Sequence, residues 1–179
     1  MELSFGQRIS GGTPDVAEVH AAVVDENQVR AAAGVTMVLG AVAFSFAYFN
    51  HQYILLQIVS TLFFVEFLAR LTVGLRFSPV GVIARAMTLG RVPDLVSAKP
   101  KRFAWTLGLS LSLAMTIITN SGVRGLLPRT ICLICLTLMW MESVLGICLG
   151  CRIHARLVRL GWTSQDPAFE VCAQGACRR

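Results

Sequence analysis

Apolar residues fall along this chain in four long runs, covering residues 31–49, 53–75, 103–119 and the interior of 129–161. A helix needs about 20 such residues to cross a hydrocarbon layer about 30 Å thick at a rise of about 1.5 Å per residue. The pattern therefore predicts an all-α, polytopic membrane protein with four transmembrane helices. Only Asn50, His51 and Gln52 separate the first two runs, so those spans should form an antiparallel hairpin. Tyr48 and Phe49 mark the interfacial end of the first. The hydroxyls of Thr106, Ser110, Ser112 and Thr116, with Gly108, suit close helix packing in the third. Between the second and third runs, Ser78-Pro79 is a helix-start signal. Val82, Ile83, Ala86 and Leu89 then recur at helical spacing opposite Arg85. A short interfacial helix is expected there, followed by a linker carrying Pro93 and Pro100. The chain divides into an N-terminal segment (1–30), a membrane domain (31–161) and a cysteine-containing tail (162–179). Residues 1–30 lack a basic start followed by an apolar core, so no cleaved signal peptide is expected.

Composition agrees: 55% of residues are hydrophobic, 15% are charged, and the mean hydropathy is +0.65. The net charge of +6 does not point to nucleic acid, because the basic residues stand at the ends of apolar runs, where they set topology and meet lipid headgroups. Of 16 Lys and Arg, only Arg124 and Arg129 lie between spans three and four. The remaining fourteen share one side if four spans bring both termini and the middle loop together. By the positive-inside rule that side is the cytoplasm, and the expected location is a bacterial-type inner membrane with both termini cytoplasmic.

The stretch 129–161 holds the chemistry: Cys132/Cys135, Cys148/Cys151 and one carboxylate, Glu142, in an apolar setting. Read as one continuous helix, it separates Cys132 from Cys148 by about 24 Å on nearly opposite faces, so the two pairs cannot share a site. Cys132/Cys135 has no nearby base and reads as packing. Cys148/Cys151 is different, because Arg152, His154 and Arg156 follow at once and cations favour the thiolate. Redox-active pairs of this spacing usually begin at a helix start, which is not evident in the pattern. The tail adds Cys172 and Cys177. Four cysteines on one cytoplasmic surface could exchange electrons, carry a persulfide, or hold a metal as Cys148, Cys151, Cys172 and Cys177.

Charged residues inside the runs need partners. Glu66 and Arg70 stand four apart on one helical face and can pair. Glu142 is expected at a similar depth, so Glu66, Arg70 and Glu142 could form one buried cluster. Its bland role is an inter-helix clamp that fixes packing; its functional role is to tune protonation beneath the thiols.

Four segments, VDENQVRAAAG, FLARLTVGLRFSPVG, KPKRFAWTLGL and ESVLGICLGCRIHARLVRLG, together resemble a bacterial family of small integral membrane proteins catalogued as a domain of unknown function. The similarity spans about residues 24–161 and is most specific at Arg70, the 76–79 turn, Phe103 and the 142–151 block. It departs at Gly146-Ile147, where relatives often carry an aromatic, and at His154, near a position often tyrosine. The resemblance implies the topology and singles out the Gly-Ile-Cys-Leu-Gly-Cys block, but supplies no reaction and no cofactor. Four-helix thiol oxidases also carry two cysteine pairs and a quinone, yet their pairs face outward, opposite to the orientation the charges give here.

Three functions follow. The first is a thiol-redox or sulfur-relay component serving a soluble thiol partner, with Cys148 and Cys151 exchanging, Cys172/Cys177 resolving, and Glu142, Arg70 and Glu66 tuning protonation. The second is a zinc- or copper-handling protein using the four thiolates. The third is a non-catalytic accessory subunit of a membrane complex. The lipid bilayer is the expected partner in all three, with a homo-oligomer compatible with each, and no nucleotide loop, hydrolase triad or haem-attachment motif is visible.

Overall fold

The computed structural model describes residues 23–162. Its elements are β1 (Val23–Asp25), α1 (Glu26–Phe49), α2 (Ile54–Thr72), α3 (Pro79–Met87), β2 (Leu95–Ser97), α4 (Ala98–Asn120), α5 (Leu126–Ser143) and α6 (Leu149–Arg159), with a 3-10 turn over Leu75–Phe77. Four of these, α1, α2, α4 and α5, are long and apolar enough to cross a membrane. The fold is all-α apart from the small β1–β2 ribbon.

α1 packs along α2 and α5, and α2 along α4, while α4 and α5 touch each other little. That leaves a cleft between the third and fourth spans. Val38, Val42, Ile58, Val65, Ile117 and Leu133 stay exposed on the four long helices, as a hydrocarbon-facing surface requires. At one end, the Tyr53 hydroxyl accepts from the Gly125 N–H at 2.9 Å, and Arg129 meets the His51 ring at 2.7 Å. These contacts bring the two short connections together.

The opposite end carries the remaining structure. α1 is capped by Asp25, whose carboxylate accepts from the N–H groups of Asn27 and Asp94. β1 pairs antiparallel with β2, so the residues before α1 are tied to the segment before α4. The predicted linker is thus partly a strand, and Pro100 sits in the first turn of α4, where its missing N–H costs nothing. α3 forms as expected, capped by the Ser78 hydroxyl with Pro79 at its first position. Val80, Gly81 and Ala84 face the bundle, while Val82, Ile83, Met87 and Leu89 are exposed, as on a helix lying at an apolar surface.

The clearest departure from the sequence pattern is in the fourth run. Residues 129–161 are not one helix: α5 stops at Ser143, residues 144–148 are non-helical, and α6 restarts at Leu149. Gly146 adopts φ +65°, a left-handed conformation that glycine reaches without penalty. Val144, Leu145, Ile147 and Cys148 are all apolar, so hydropathy runs straight through the break.

Candidate functional site

The break sets the chemistry. Cys148 is the N-cap of α6, and its Sγ accepts from the Cys151 N–H at 3.3 Å. The two cysteines are joined as a disulfide across one helical turn, with Cα atoms 5.2 Å apart. A pair expected at the end of a membrane helix thus begins a new one. At that position the free N–H groups and the positive end of the helix dipole face the first sulfur.

Three neighbours hold α6 there. The Arg30 guanidinium, from α1, donates to the Ser143 carbonyl through Nε (3.3 Å) and Nη2 (3.2 Å), and Nη2 also reaches the Val144 carbonyl at 3.1 Å. These are carbonyls that the ending helix leaves without intrahelical partners. Gly150, between the two cysteines, lies so close to α4 that a Cβ there would sit 2.6 Å from the Ala104 Cβ. His154 rests on the Phe103 ring at 5.5 Å between centroids. Partial burial, with the Lys99 charge, holds the His154 imidazole below its usual pKa.

The cleft between α4 and α5 is an apolar cavity of about 410 Å³. Cys148 forms part of its wall, as do Cys132, Cys135 and Glu142. The last three, with Met139, recur at spacings of three, four and three, so one face of α5 carries them all. The break places Cys148 on the wall of the same cavity as Cys132 and Cys135. Those two are free cysteines, Cys132 buried and Cys135 partly so.

The charged residues form two groups rather than the single cluster expected. Glu66 Oε1 accepts from Arg70 Nε at 2.8 Å with both side chains buried, and Glu66 Oε2 accepts from the Val80 N–H at 3.1 Å. The carboxylate thereby pairs with its own helix and also caps α3. Arg70 Nη2 is buried without a hydrogen-bond partner. Glu142 instead accepts from Lys101 at 3.1 Å, and Lys101 also pairs with Glu26 at 2.7 Å. Sequence reasoning missed Arg30, Lys101 and Glu26, and no local signal marks them as partners.

Cys172 and Cys177 lie outside the described residues, and with them the four-thiolate metal set. Among the described residues, no group of three or more His, Cys, Asp or Glu side chains converges as a metal would require.

Together these features define a helical membrane protein with four helices long and apolar enough to span, and a cysteine pair at a helix start beside an apolar cleft. The chain belongs to the family described as Domain of unknown function (DUF4395), whose sequence profile matches residues 24–159. No curated protein and no solved structure matches it.

Proposed function

We propose that this protein is a membrane-bound thiol-redox component whose exchanging pair is Cys148 and Cys151. The observation that carries the reading is the placement of Cys148 as the N-cap of α6, three residues before its bonded partner. When the pair is reduced, the N–H groups of the first turn favour negative charge on the first sulfur, the form that attacks disulfides. In exchange, one thiolate of a soluble dithiol partner attacks the Cys148–Cys151 bond, and the partner's second thiol resolves the mixed disulfide. The partner leaves oxidised, and both cysteines here become thiols. Arg30 and Gly150 act as positioning residues, since they set where α6 begins and how closely it approaches α4. Glu142, Arg70 and Glu66 hold the helices in register at that end.

The distribution of basic residues supports a cytoplasmic location for this end, with both termini on the same side. On that reading, residues 1–30 and 162–179 are cytoplasmic extensions of the membrane domain, and Cys172/Cys177 are proposed as additional resolving thiols.

The test is mass spectrometry of the purified protein before and after reduction, with Cys148→Ser and Cys151→Ser alongside. Reversible opening of this disulfide, and a mixed disulfide at Cys148 that accumulates with a soluble partner whose resolving cysteine is replaced by serine and is lost in Cys148→Ser, support the reading. Bound zinc or copper lost in both variants would replace it with metal handling. Thiols that never oxidise, with no metal bound, leave an accessory subunit.

A further inference from the structure

We infer that the cleft between α4 and α5 is a binding site for a lipid-soluble quinone, which accepts electrons from the reduced Cys148/Cys151 pair. The inference rests on the redox reading of that pair and adds where its electrons go. A dithiol that becomes a disulfide must give up two electrons and two protons together. On its cavity side the medium beside this pair is apolar, because Cys148 forms part of the wall of a cavity of about 410 Å³. A soluble nucleotide cofactor carries charges that such a wall would not solvate. A quinone ring on an apolar tail is the two-electron, two-proton carrier that hydrocarbon does solvate.

The size and shape fit. The volume lies within the range of about 300–1,000 Å³ usual for small-molecule sites, which are apolar with a few placed polar groups. Leu107 on α4, with Leu149 and Ile153 on α6, lines the cavity and is exposed, so the rim opens on the side of the bundle. A tail can leave there into the bilayer. Glu142 is the one carboxylate in the wall, held by Lys101 at 3.1 Å. It gives the largely apolar wall one charged side chain.

The step balances. The S–H bonds of Cys148 and Cys151 break and one S–S bond forms. The electron pair reduces the quinone, and its two carbonyl oxygens each take a proton to give the hydroquinone. A dithiol partner then restores the two thiols, as in the exchange above.

The experiment uses the full chain in phospholipid nanodiscs, reduced, freed of reductant and kept anaerobic. It is mixed with decylubiquinone, whose fully substituted ring resists direct thiol addition. Quinone loss is followed by ultraviolet absorbance, and the Cys148–Cys151 disulfide by mass spectrometry. The expected result is quinone reduction in proportion to protein, lost in Cys148→Ser and Cys151→Ser. It should slow at least about tenfold, equivalent to about 1.4 kcal/mol of lost binding, when Leu111→Trp fills the cavity or Ser110→Trp crowds its rim. Ser110 is exposed, so that variant tests the site even if Leu111→Trp does not fold. Each variant is also cycled with dithiothreitol and diamide, which reach the pair without the cavity. A pair that cycles with these reagents but leaves decylubiquinone oxidised overturns the quinone site alone. Undiminished reduction in both tryptophan variants overturns it too, since the quinone then reacts elsewhere. A pair inert to dithiothreitol and diamide overturns both this site and the redox reading beneath it.

Discussion

Arg30, in the second turn of α1, donates to the carbonyl of Ser143, the last residue of α5, 113 positions away. The contact explains why an apolar run breaks where it does. The last turn of a helix leaves carbonyls without intrahelical partners, and each one that meets lipid instead of a donor costs several kcal/mol. A guanidinium with three contacts to two of them removes much of that cost, and Gly146 then turns the chain through φ +65° to restart as α6.

Arg30→Ala should therefore destabilise the protein by about 1–3 kcal/mol, as expected when a charged hydrogen-bonding group is removed from partly buried acceptors. Its effect should extend to the cysteine pair, because the start of α6 loses its anchor. Arg30→Lys keeps the charge but not the fork, and should recover only part of the loss. Thermal unfolding in detergent measures the first effect, and the alkylation rate of the reduced Cys148 the second. Equal alkylation rates in all three proteins would detach Arg30 from the pair.

Gly150 makes a sharper case. A methyl group there would lie 2.6 Å from the Ala104 Cβ and 2.8 Å from its Cα, and neither atom can rotate away. Gly150→Ala should push α6 from α4 at a cost of about 1–3 kcal/mol, despite alanine's better helix propensity. Adding Ala104→Gly removes the nearest colliding atom and should restore part of the loss. A double-mutant cycle on unfolding checks this, and additive effects would mean that the two positions are not in contact.

The four spans were legible because about 20 apolar residues in a row have few other uses in a chain this hydrophobic. Glu66 and Arg70 were legible as a pair because helix geometry alone brings residues four apart together. The fourth run misled because residues 144–148 are apolar whether helical or not, and the cause of the break lies on another helix. The partners of Glu142 were hidden for the same reason: Lys101 is 41 residues away, and Glu26 is a further 75 from Lys101. The stripe of Cys132, Cys135, Met139 and Glu142 was present in the spacing. Without the broken helix, nothing connected it to Cys148.

His154 supplies a pH test outside the membrane spans. Partial burial lowers its pKa in the folded protein, so its contribution favours the folded state above the unfolded value and fades as pH falls through the folded one. The groups facing it are the Phe103 ring and the Lys99 charge. Below about pH 6.5, the usual imidazole value, docking of α6 should weaken, and His154→Phe should flatten that dependence. Hydrogen exchange at the α6 amides between pH 5 and 8 reads it directly. Identical profiles for the two proteins would remove His154 from the account.

Lys101 joins two carboxylates from different helices, Glu26 at 2.7 Å and Glu142 at 3.1 Å, with its own side chain only 5% exposed. The energetics of such a group are asymmetric. Lys101→Met leaves two partly buried carboxylates facing each other without their cation, and losing one partner of a buried ion pair costs about 3–5 kcal/mol. Glu142→Gln removes one charge but leaves Lys101 paired with Glu26, so it should cost less. Combining Lys101→Met with Glu26→Gln and Glu142→Gln removes all three charges and should be more stable than Lys101→Met alone. Chemical unfolding of the four proteins in the same detergent gives the order. If Lys101→Met proves as stable as the unaltered chain, the cluster is solvated, and Glu142 faces water rather than the apolar cleft that the quinone site requires.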